Sequence, residues 1–428
     1  MVQALAWTNL ASAKTLPGRY HKAYSQLVDG LSKKQIAELK AGFSLYAKGW
    51  VTAPSSTKVR DGLGPHFNAV SCVSCHQHNG RGRAPIQGLK PDFSLLMRLS
   101  VQGQNKDGSP VGDPVYGTQF HPRATLGVEN EGDLELTYTE KNEVLAGGKV
   151  VSLQVPSYKF KNLKYGSMSQ DIMISPRVAP HLAGVGYLDK VSEEQILEYA
   201  DELDSNRDGI SGKVNYVWNV LAQKKTIGRF GWKANQPTLL QQNAGAFNGD
   251  LGITSSLFPN QNCSSLQSDC LSALDGGAPE ISDKHLDFVN LMVSSIDRPK
   301  VKRLKNYEEG KKVFFQLKCQ QCHRPSFQVE GKEVKAYTDL LLHDMGAALA
   351  DGRADFLANG REWKTPPLWG IGAQKEVNGH TYLLHDGRAR NVEEAILWHG
   401  GEAEKSKQMY KALSEEERES LLNFVNSL

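Results

Sequence analysis

Two short segments of this sequence place cysteine and histidine in the same spacing, Cys-x-x-Cys-His. Two cysteines three positions apart lie on one side of a helical turn, and the histidine that follows lies under that same side. Thiols in this spacing form thioethers with the vinyl groups of a porphyrin while the imidazole binds its iron, which is the pattern of c-type haem attachment. The sequence therefore predicts two covalently bound haems c, held by Cys72, Cys75 and His76 and by Cys319, Cys322 and His323.

Two other kinds of site also use paired cysteines. A zinc site can join two Cys-x-x-Cys units, but such units usually lie much closer together and need no histidine after each. A dithiol redox motif would need one Cys-x-x-Cys near a βαβ unit, and this sequence shows no such pattern. Both stay open as weaker alternatives to haem.

Length and charge exclude several classes of function. A chain of 428 residues can form two or three domains, each with a full core. Its 50 basic and 47 acidic residues give a net charge of +3, which argues for neither nucleic acid nor a membrane surface as a partner. Because no run of 18 apolar residues exists, we predict no transmembrane helix.

The expected compartment is the periplasm, because covalent haem attachment takes place outside the bacterial cytoplasm. The segment from Met1 to Lys14 lacks a charged region followed by an apolar one, so we infer that a signal peptide has been removed. Cys263 and Cys270 have no haem role and most simply form a disulfide in this oxidising space. Two free thiols are the alternative.

Apolar periodicity predicts a helix before each haem motif, Ser32 to Trp50 and Asn306 to Cys322, which indicates a weak internal duplication. Further helices are expected over 191–203, 285–296 and 414–428. Alternating apolar and polar residues from Leu134 to Phe160 predict a β-hairpin that turns at 146–149.

A break at Asp297–Pro299 marks the expected domain boundary. The predicted fold is therefore mainly α, with two cytochrome c-like haem domains at 1–298 and 299–428. The first would carry a large insert, at about 85–280, that contains the β-hairpin.

A loop after the 191–203 helix resembles a calcium site of EF-hand type. Oxygen side chains stand at its first, third and fifth positions, glycine at the sixth and an apolar residue at the seventh. The twelfth position is asparagine rather than glutamate, so the bidentate carboxylate is missing. The predicted calcium ligands are Asp204, Asn206, Asp208, Ile210 and Asn215, and a capped turn rich in Asp and Asn is the alternative.

A short helix near the C-terminus is expected to present His399 at its end. Asn391 caps this helix, Glu394 completes a capping-box-like pair and Gly400 stops it after about two and a half turns. The imidazole of His399 is well placed to be the second axial ligand of a haem.

These residues together resemble a known family. The two haem motifs, the Thr-Pro-Pro-Leu stretch at 365–368 and the His-Asp-Gly-Arg segment at 385–388 are similar to the bacterial di-haem cytochrome c peroxidases and to the related enzyme that matures methylamine dehydrogenase. Closer still is a branch of di-haem oxidoreductases sometimes called thiol oxidoreductases. Its pattern covers nearly the whole chain, at Phe67–Asn68, Arg177–Pro180, Gly228–Lys233, His343–Gly346 and Leu397–Glu402.

The resemblance implies roles for three residues. In the superfamily, the residue 14 positions after the His-Asp-Gly histidine binds the C-terminal haem from the distal side, and here that residue is His399. The C-terminal haem is thus predicted to be low-spin and bis-His, with a lower potential than a methionine ligand would give. His385 and Asp386 are implied as catalytic residues between the domains near this haem, with a turn-forming His-Asp-Gly as the alternative.

The distal side of the N-terminal haem is less determined. No residue matches the distal glutamate of the peroxidases, and the acidic candidates in the insert are Glu129, Glu131 and Glu143. The side chains that could close this haem are His121, His181, Met97, Met168 and Met173, each of which is more commonly structural. Arg81 and Arg83 could reach haem propionates or form a solvated turn, and Trp232 could lie between the haems or in the core.

Two functions follow. As an enzyme, the protein would bind hydrogen peroxide at an open haem above His76 and receive electrons from a small redox protein through the haem at His323. As a pure electron-transfer protein, which the resemblance links to iron acquisition, it would keep both irons six-coordinate. A literal thiol oxidoreductase conflicts with the cysteine count, because four cysteines hold haem and two pair.

Overall fold

The computed structural model describes residues 14–17, 22–87 and 94–428, so nearly all of the segment in which a lost signal peptide was inferred lies outside the described residues. The helices of the described residues are α1 Lys33–Ala47, α2 Cys72–Cys75, α3 Val185–Asp189, α4 Glu193–Leu197, α5 Leu239–Leu251, α6 Ser268–Leu271, α7 Asp283–Ser294, α8 Tyr307–Gln316, α9 Gln374–Asn378, α10 Val392–Trp398, α11 Glu404–Ala412 and α12 Glu415–Val425. The strands are β1 His66–Phe67, β2 Leu95–Gln104, β3 Pro110–Val111, β4 Arg123–Ala124, β5 Asp133–Val144, β6 Val150–Lys161, β7 Met173–Val178, β8 Tyr216–Asn219, β9 Lys224–Ile227, β10 Ser326–Val329, β11 Lys332–Lys335, β12 Leu342–Asp344 and β13 Glu362–Lys364.

The prediction of a mainly α, cytochrome c-like fold is wrong. Helices hold 29% of the residues and strands hold 21%, so the chain is a mixed α and β protein with many small sheets. Most of these strands have two to four residues, too few to show a clear period-two pattern in the sequence. The helix expected over 191–203 also shortens to α4, because the Asp201 carboxylate accepts hydrogen bonds from the backbone N–H groups of Ser205 and Asn206 and so favours turns.

The sheets of the described residues are antiparallel and small. The β-hairpin prediction is confirmed: β5 pairs with β6 from Asp133↔Lys161 to Val144↔Val150. A three-stranded sheet has the order β3-β2-β7, and the other pairs are β1 with β4, β8 with β9, β10 with β11 and β12 with β13. These small sheets and the loops between them surround the helices that carry the haem motifs.

The helix before each haem motif crosses a partner helix at a glycine. Gly42 of α1 lies so close to the backbone of Phe288 in α7 that no Cβ would fit, and Gly310 of α8 meets the backbone of Ser420 in α12 in the same way. Close backbone approach of this kind requires glycine. The equivalent crossings support the internal duplication that the sequence indicates.

Side-chain caps set the starts of the longer helices as predicted. Ser32 and Ser414 each form a capping box, with Gln35 and Glu417, and Asn391 accepts a hydrogen bond from the backbone N–H of Glu394. Each box satisfies two backbone donors that a helix start leaves without partners. Among the described helices, none is both long and apolar enough to cross a membrane.

Two main clusters of buried apolar side chains form the core. The larger one is built on α1, α5 and α7 but also contains Phe327, Val329 and Leu340 from the second half of the chain. The other is built on α8, α10 and α12, and it contains Leu145 and Leu153 from the β5–β6 hairpin. Both cores therefore draw on both halves of the sequence.

A half-buried histidine that contacts both halves of the chain predicts loss of stability in mild acid. The His380 Nε2–H donates to the Arg81 carbonyl oxygen at 3.2 Å, and Nδ1 accepts from the Gln374 amide at 3.3 Å. Burial lowers the pKa of His380 to about 4, and the neighbouring Arg81 and Arg83 charges lower it further. Because the folded-state pKa lies below that of the unfolded chain, this histidine contributes stability above about pH 6.5 that is lost as the pH falls toward 4.

Replacing His380 with glutamine should remove that contribution. The free energy of unfolding of the wild type should fall between pH 7 and pH 5 by roughly 1–2 kcal/mol more than that of H380Q. Urea unfolding at the two pH values measures the difference. Equal losses in both proteins would show that another group causes the acid sensitivity.

Candidate haem sites

Both Cys-x-x-Cys-His segments form the single turn that their spacing predicts. The backbone N–H of His76 donates to the Cys72 carbonyl at 2.9 Å, and that of His323 donates to the Cys319 carbonyl at the same distance. The four cysteines of these segments are free thiols, whereas Cys263 and Cys270 form the expected disulfide. The thiols at both turns are thus available for covalent attachment.

A backbone carbonyl anchors each motif histidine. The His76 Nδ1–H donates to Pro180 at 2.7 Å, and the His323 Nδ1–H donates to Tyr337 at 3.0 Å. Since a carbonyl oxygen only accepts, Nδ1 carries the proton in both rings and Nε2 keeps its lone pair. Burial lowers the pKa of each imidazole to about 4, so both are neutral near pH 7. A neutral ring held by its second nitrogen is the form that binds a metal.

His399 faces His323 in the way a second axial ligand would. It follows the last residue of α10, and its Nδ1–H donates to the Ala395 carbonyl at 2.6 Å, again leaving Nε2 free. The centroids of the His323 and His399 rings lie 6.5 Å apart. Two imidazoles that bind one metal from opposite sides have centroids about 6 Å apart, because each metal–nitrogen bond is about 2 Å long. The residues present therefore fit a haem between them.

These two rings line a cavity of about 290 Å³ that continues toward the first motif. Cys319 and Cys322 lie in its wall, as do Pro180, Trp232 and His385. Pro180 is the residue whose carbonyl anchors His76, so the cavity links the second site to the proximal side of the first. The indole N–H of Trp232 donates to the Val178 carbonyl at 2.9 Å, and the Arg81 guanidinium lies 5.0 Å from its ring centroid.

His385 presents a free nitrogen to this cavity. Its Nδ1–H donates to the Pro176 carbonyl at 2.9 Å, its ring stacks on Trp363 at 3.9 Å, and its buried Nε2 has no hydrogen-bond partner. Burial lowers the pKa of His385, so Nε2 is a proton acceptor near neutral pH. Asp386 is instead held by Arg388, whose Nε and Nη2 atoms each lie 2.8 Å from a carboxylate oxygen. Burial opposes charge on Asp386, but His385 and Arg388 outweigh it and lower the pKa of this carboxyl.

The candidates for the distal side of the N-terminal haem are scattered. Met97 is buried in the apolar cluster of β2 and β7, where Met168 also packs, and Met173 begins β7. His181 lies near His76, and burial, Arg81 and His76 lower the pKa of its imidazole. Its ring stacks on that of Tyr24, with the ring centroids 5.5 Å apart. His121 lies in a different cluster, with Glu131. The other two glutamates pair with lysines: Glu129 lies 3.9 Å from Lys164, and Glu143 lies 2.7 Å from Lys411.

The basic turn after the first motif contains one buried arginine and one exposed arginine. Arg81 is buried and donates to the Leu384 carbonyl, whereas Arg83 is exposed. Arg81 also lines the C-terminal cavity. A role with haem propionates remains a prediction for both.

The proposed calcium ligands do not all converge. The carboxylates of Asp204 and Asp208 accept hydrogen bonds from the backbone of their own loop, at Gly209 and Ile210. Asn215 is buried, and its amide bonds the backbone of Lys233, Asp355 and Leu357 instead. The first half of the loop keeps the geometry of an Asp-rich turn, and calcium stays a prediction for these residues.

The sequence predictions give His343 no role, although the segment His343–Gly346 is part of the family resemblance. The two ring nitrogens of this buried residue lie 2.6 Å from Glu402 and 2.8 Å from Asp339. Burial opposes charge on the ring, but Cys322 and Asp339 outweigh it and raise the pKa of His343 well above its usual value. A charged imidazole thus lies beside the second haem motif. In the sequence, the acidic residues and histidines of the segments 339–344 and 397–402 could have indicated this cluster.

Comparison with protein families assigns the chain to the di-haem oxidoreductases. The family model described as "Di-haem oxidoreductase, putative peroxidase" matches residues 11–428, so this protein belongs to that family. No curated protein matches the sequence. Among solved structures, the chain is similar to hydrazine synthase from Kuenenia stuttgartiensis, determined under 20 bar of xenon, with 12% identity, a TM-score of 0.35 and 100% coverage of both chains.

Proposed function

We propose that this di-haem oxidoreductase is a periplasmic c-type enzyme with two different sites. The site at His323 and His399 would serve electron transfer, and the site at His76 would bind and reduce hydrogen peroxide. The observation that carries the proposal is the pair of facing imidazoles, 6.5 Å apart and each anchored through Nδ1. Among the described residues, no second imidazole is placed against His76 in this way.

The difference between the sites supports a division of labour. Haem supplies reversible one-electron chemistry, and an iron with a free position also binds peroxide. Two fixed histidines would hold the iron at the C-terminal site. They would need little rearrangement when the iron gains or loses an electron. At the other site we assign only His76 as a ligand, and the opposite side of that haem would be the one that takes the substrate.

The protein supplies the proton handling. The free Nε2 of His385 faces the cavity that reaches Pro180 beside His76, and through this cavity it would pass protons to and from the substrate site as a general acid-base group. Asp386 is bound to Arg388 and so keeps the adjoining backbone in position. Trp232, in the wall of the cavity between the two sites, lies on the path that electrons would take. The donor would be a small redox protein.

A low-temperature EPR spectrum of the oxidised protein tests the proposal. We expect a low-spin bis-His signal together with a high-spin signal, and peroxide should react only with the high-spin component. Two low-spin signals in the oxidised protein, with no high-spin form appearing even after one-electron reduction, would overturn the peroxidase function.

Removing the His385 imidazole should slow peroxide turnover without altering the haems. For His385→Asn we expect kcat to fall roughly 100-fold or more, because general acid-base groups contribute about 10²–10⁴-fold. Stopped-flow assays with a ferrocytochrome donor measure the rate, while haem content and EPR signals should match those of the wild type. An unchanged rate would exclude His385 as the proton-transfer group.

The second candidate is an electron-transfer protein without peroxidase activity. His181 favours it, because this half-buried imidazole lies near His76 and its buried Nδ1 has no hydrogen-bond partner. If it bound the first iron, His181→Ala would convert a low-spin signal to high-spin. The EPR spectra of the wild type and of this variant therefore distinguish the two functions.

A further inference from the structure

A second cluster of possible metal ligands lies apart from the haem motifs. His66 belongs to β1, His121 precedes β4 and Glu131 precedes β5, and these residues are 0%, 2% and 0% exposed. The two imidazole rings are nearly parallel, with centroids 6.0 Å apart and planes 13° apart. None of the three lines the C-terminal cavity.

Hydrogen bonds fix which nitrogen of each ring carries the proton. His66 Nε2 lies 2.8 Å from the Glu129 carbonyl, and His121 Nε2 lies 3.0 Å from the Gly249 carbonyl. Because these carbonyls only accept, both Nε2 atoms carry hydrogen and both Nδ1 atoms keep a lone pair.

The two lone pairs face the carboxylate of Glu131. His66 Nδ1 lies 3.8 Å from one carboxylate oxygen, and His121 Nδ1 lies 3.4 Å from the other. No donor reaches His121 Nδ1, and the sulfur nearest His66 Nδ1, that of Cys270 at 3.4 Å, is in a disulfide and has no proton to give.

Glu131 already accepts two hydrogen bonds, from the His121 backbone N–H at 2.5 Å and from the Gln267 amide at 2.7 Å. Both bonds suit an ionised carboxylate. Three acceptors thus converge in a fully buried space, an arrangement that is costly unless a positive charge lies between them.

We propose that His66, His121 and Glu131 bind a divalent transition-metal ion of the zinc class. Two imidazole nitrogens and a carboxylate are a usual zinc ligand set, and bonds of about 2 Å at tetrahedral angles place ligand atoms about 3.3 Å apart. Each imidazole is held through its other nitrogen by a carbonyl, which is the support that metal-binding histidines require. Glu131 and the nearby Asp269 would balance the charge of the ion.

The metal would connect two segments that are far apart in the sequence, one with His66 and the other with His121 and Glu131. It joins β1, the loop before β4 and the loop before β5, next to the disulfide at Cys270. These three ligands leave one tetrahedral position of the ion unfilled, and because all three are buried we expect the ion to stabilise structure rather than carry out chemistry.

Metal analysis of the full-length haem-loaded protein tests the proposal. The protein is incubated with zinc, passed through a desalting column and analysed for zinc by mass spectrometry. We expect one zinc ion per chain in the wild type and in the control His285→Ala, and roughly tenfold less or lower in His121→Ala and Glu131→Gln. Haem absorbance shows that the variants keep both haems.

No retained zinc in the wild type, or equal zinc in all four proteins, would overturn the proposal. If the two cluster variants do not fold, anomalous diffraction from wild-type crystals above and below the zinc absorption edge decides. A peak between the three ligand atoms supports the site, and a peak elsewhere or none overturns it.

Discussion

Methionine in place of His399 is expected to raise the reduction potential of the C-terminal haem by about 0.2 V, within the range of about 0.8 V that axial ligands set. The reason is that thioether sulfur favours ferrous iron relative to imidazole nitrogen. His399 lies at the end of α10, where a methionine side chain can still reach the cavity. A spectroelectrochemical titration that resolves the two haems measures the change.

The matched control for this prediction is His285→Ala, on α7, which belongs to the other apolar core. It should leave both potentials and both EPR signals unchanged. His399→Ala should abolish the low-spin signal of the C-terminal haem. The high-spin signal of the N-terminal haem should stay unchanged. If His399→Met leaves both potentials where they were, His399 is not a ligand and the site at His323 takes its second ligand from elsewhere.

Loss of the Lys233 side chain should cost about 3–5 kcal/mol of stability, because it leaves a buried carboxylate without its partner. The Lys233 ammonium is fully buried and lies 2.7 Å from an Asp351 oxygen, and it also donates to the carbonyls of Arg353 and Asn359. Burial lowers the pKa of Lys233 to about 8, with Asp351 opposing, so the group is still mostly charged at pH 7. Chemical denaturation of Lys233→Ala measures the loss.

The control for this second prediction is an ion pair of similar length on the surface. Lys190 lies 3.0 Å from Glu330 with both side chains more than half exposed, and Lys190→Ala should change the free energy of unfolding by less than about 1 kcal/mol. In the double variant Lys233→Ala/Asp351→Asn, part of the stability should return, since no buried charge is left alone. Similar losses for Lys233→Ala and Lys190→Ala would contradict the argument.

Much of the local structure could be predicted from the sequence. The turns that hold the haem motifs, the capped helices and the β5–β6 hairpin all follow from spacing, capping residues and alternation within short segments. The mixed α and β fold could not be predicted, because short strands such as β1 and β12 depend on partners further along the chain that the sequence does not reveal.

The same limit applies to the sites. His76, His323 and His399 were found because each lies in a motif or at a fixed spacing from one. The roles of His66 and His343 depend on residues distant in the sequence, Glu131 for one and Glu402 for the other. Asn215 fitted the calcium pattern by position alone, but the fold uses its amide to hold three backbone segments.

The tip of the β5–β6 hairpin has a consequence for how the chain can be divided. Leu145 and Leu153 are part of the apolar core around α8, α10 and α12, and Lys149 pairs with Glu393 of α10 at 2.9 Å. The boundary expected near residue 298 therefore does not separate the apolar side chains of the two cores in space. A fragment that begins after residue 298 would lack these side chains, so we expect it to unfold more readily than the same segment within the whole chain.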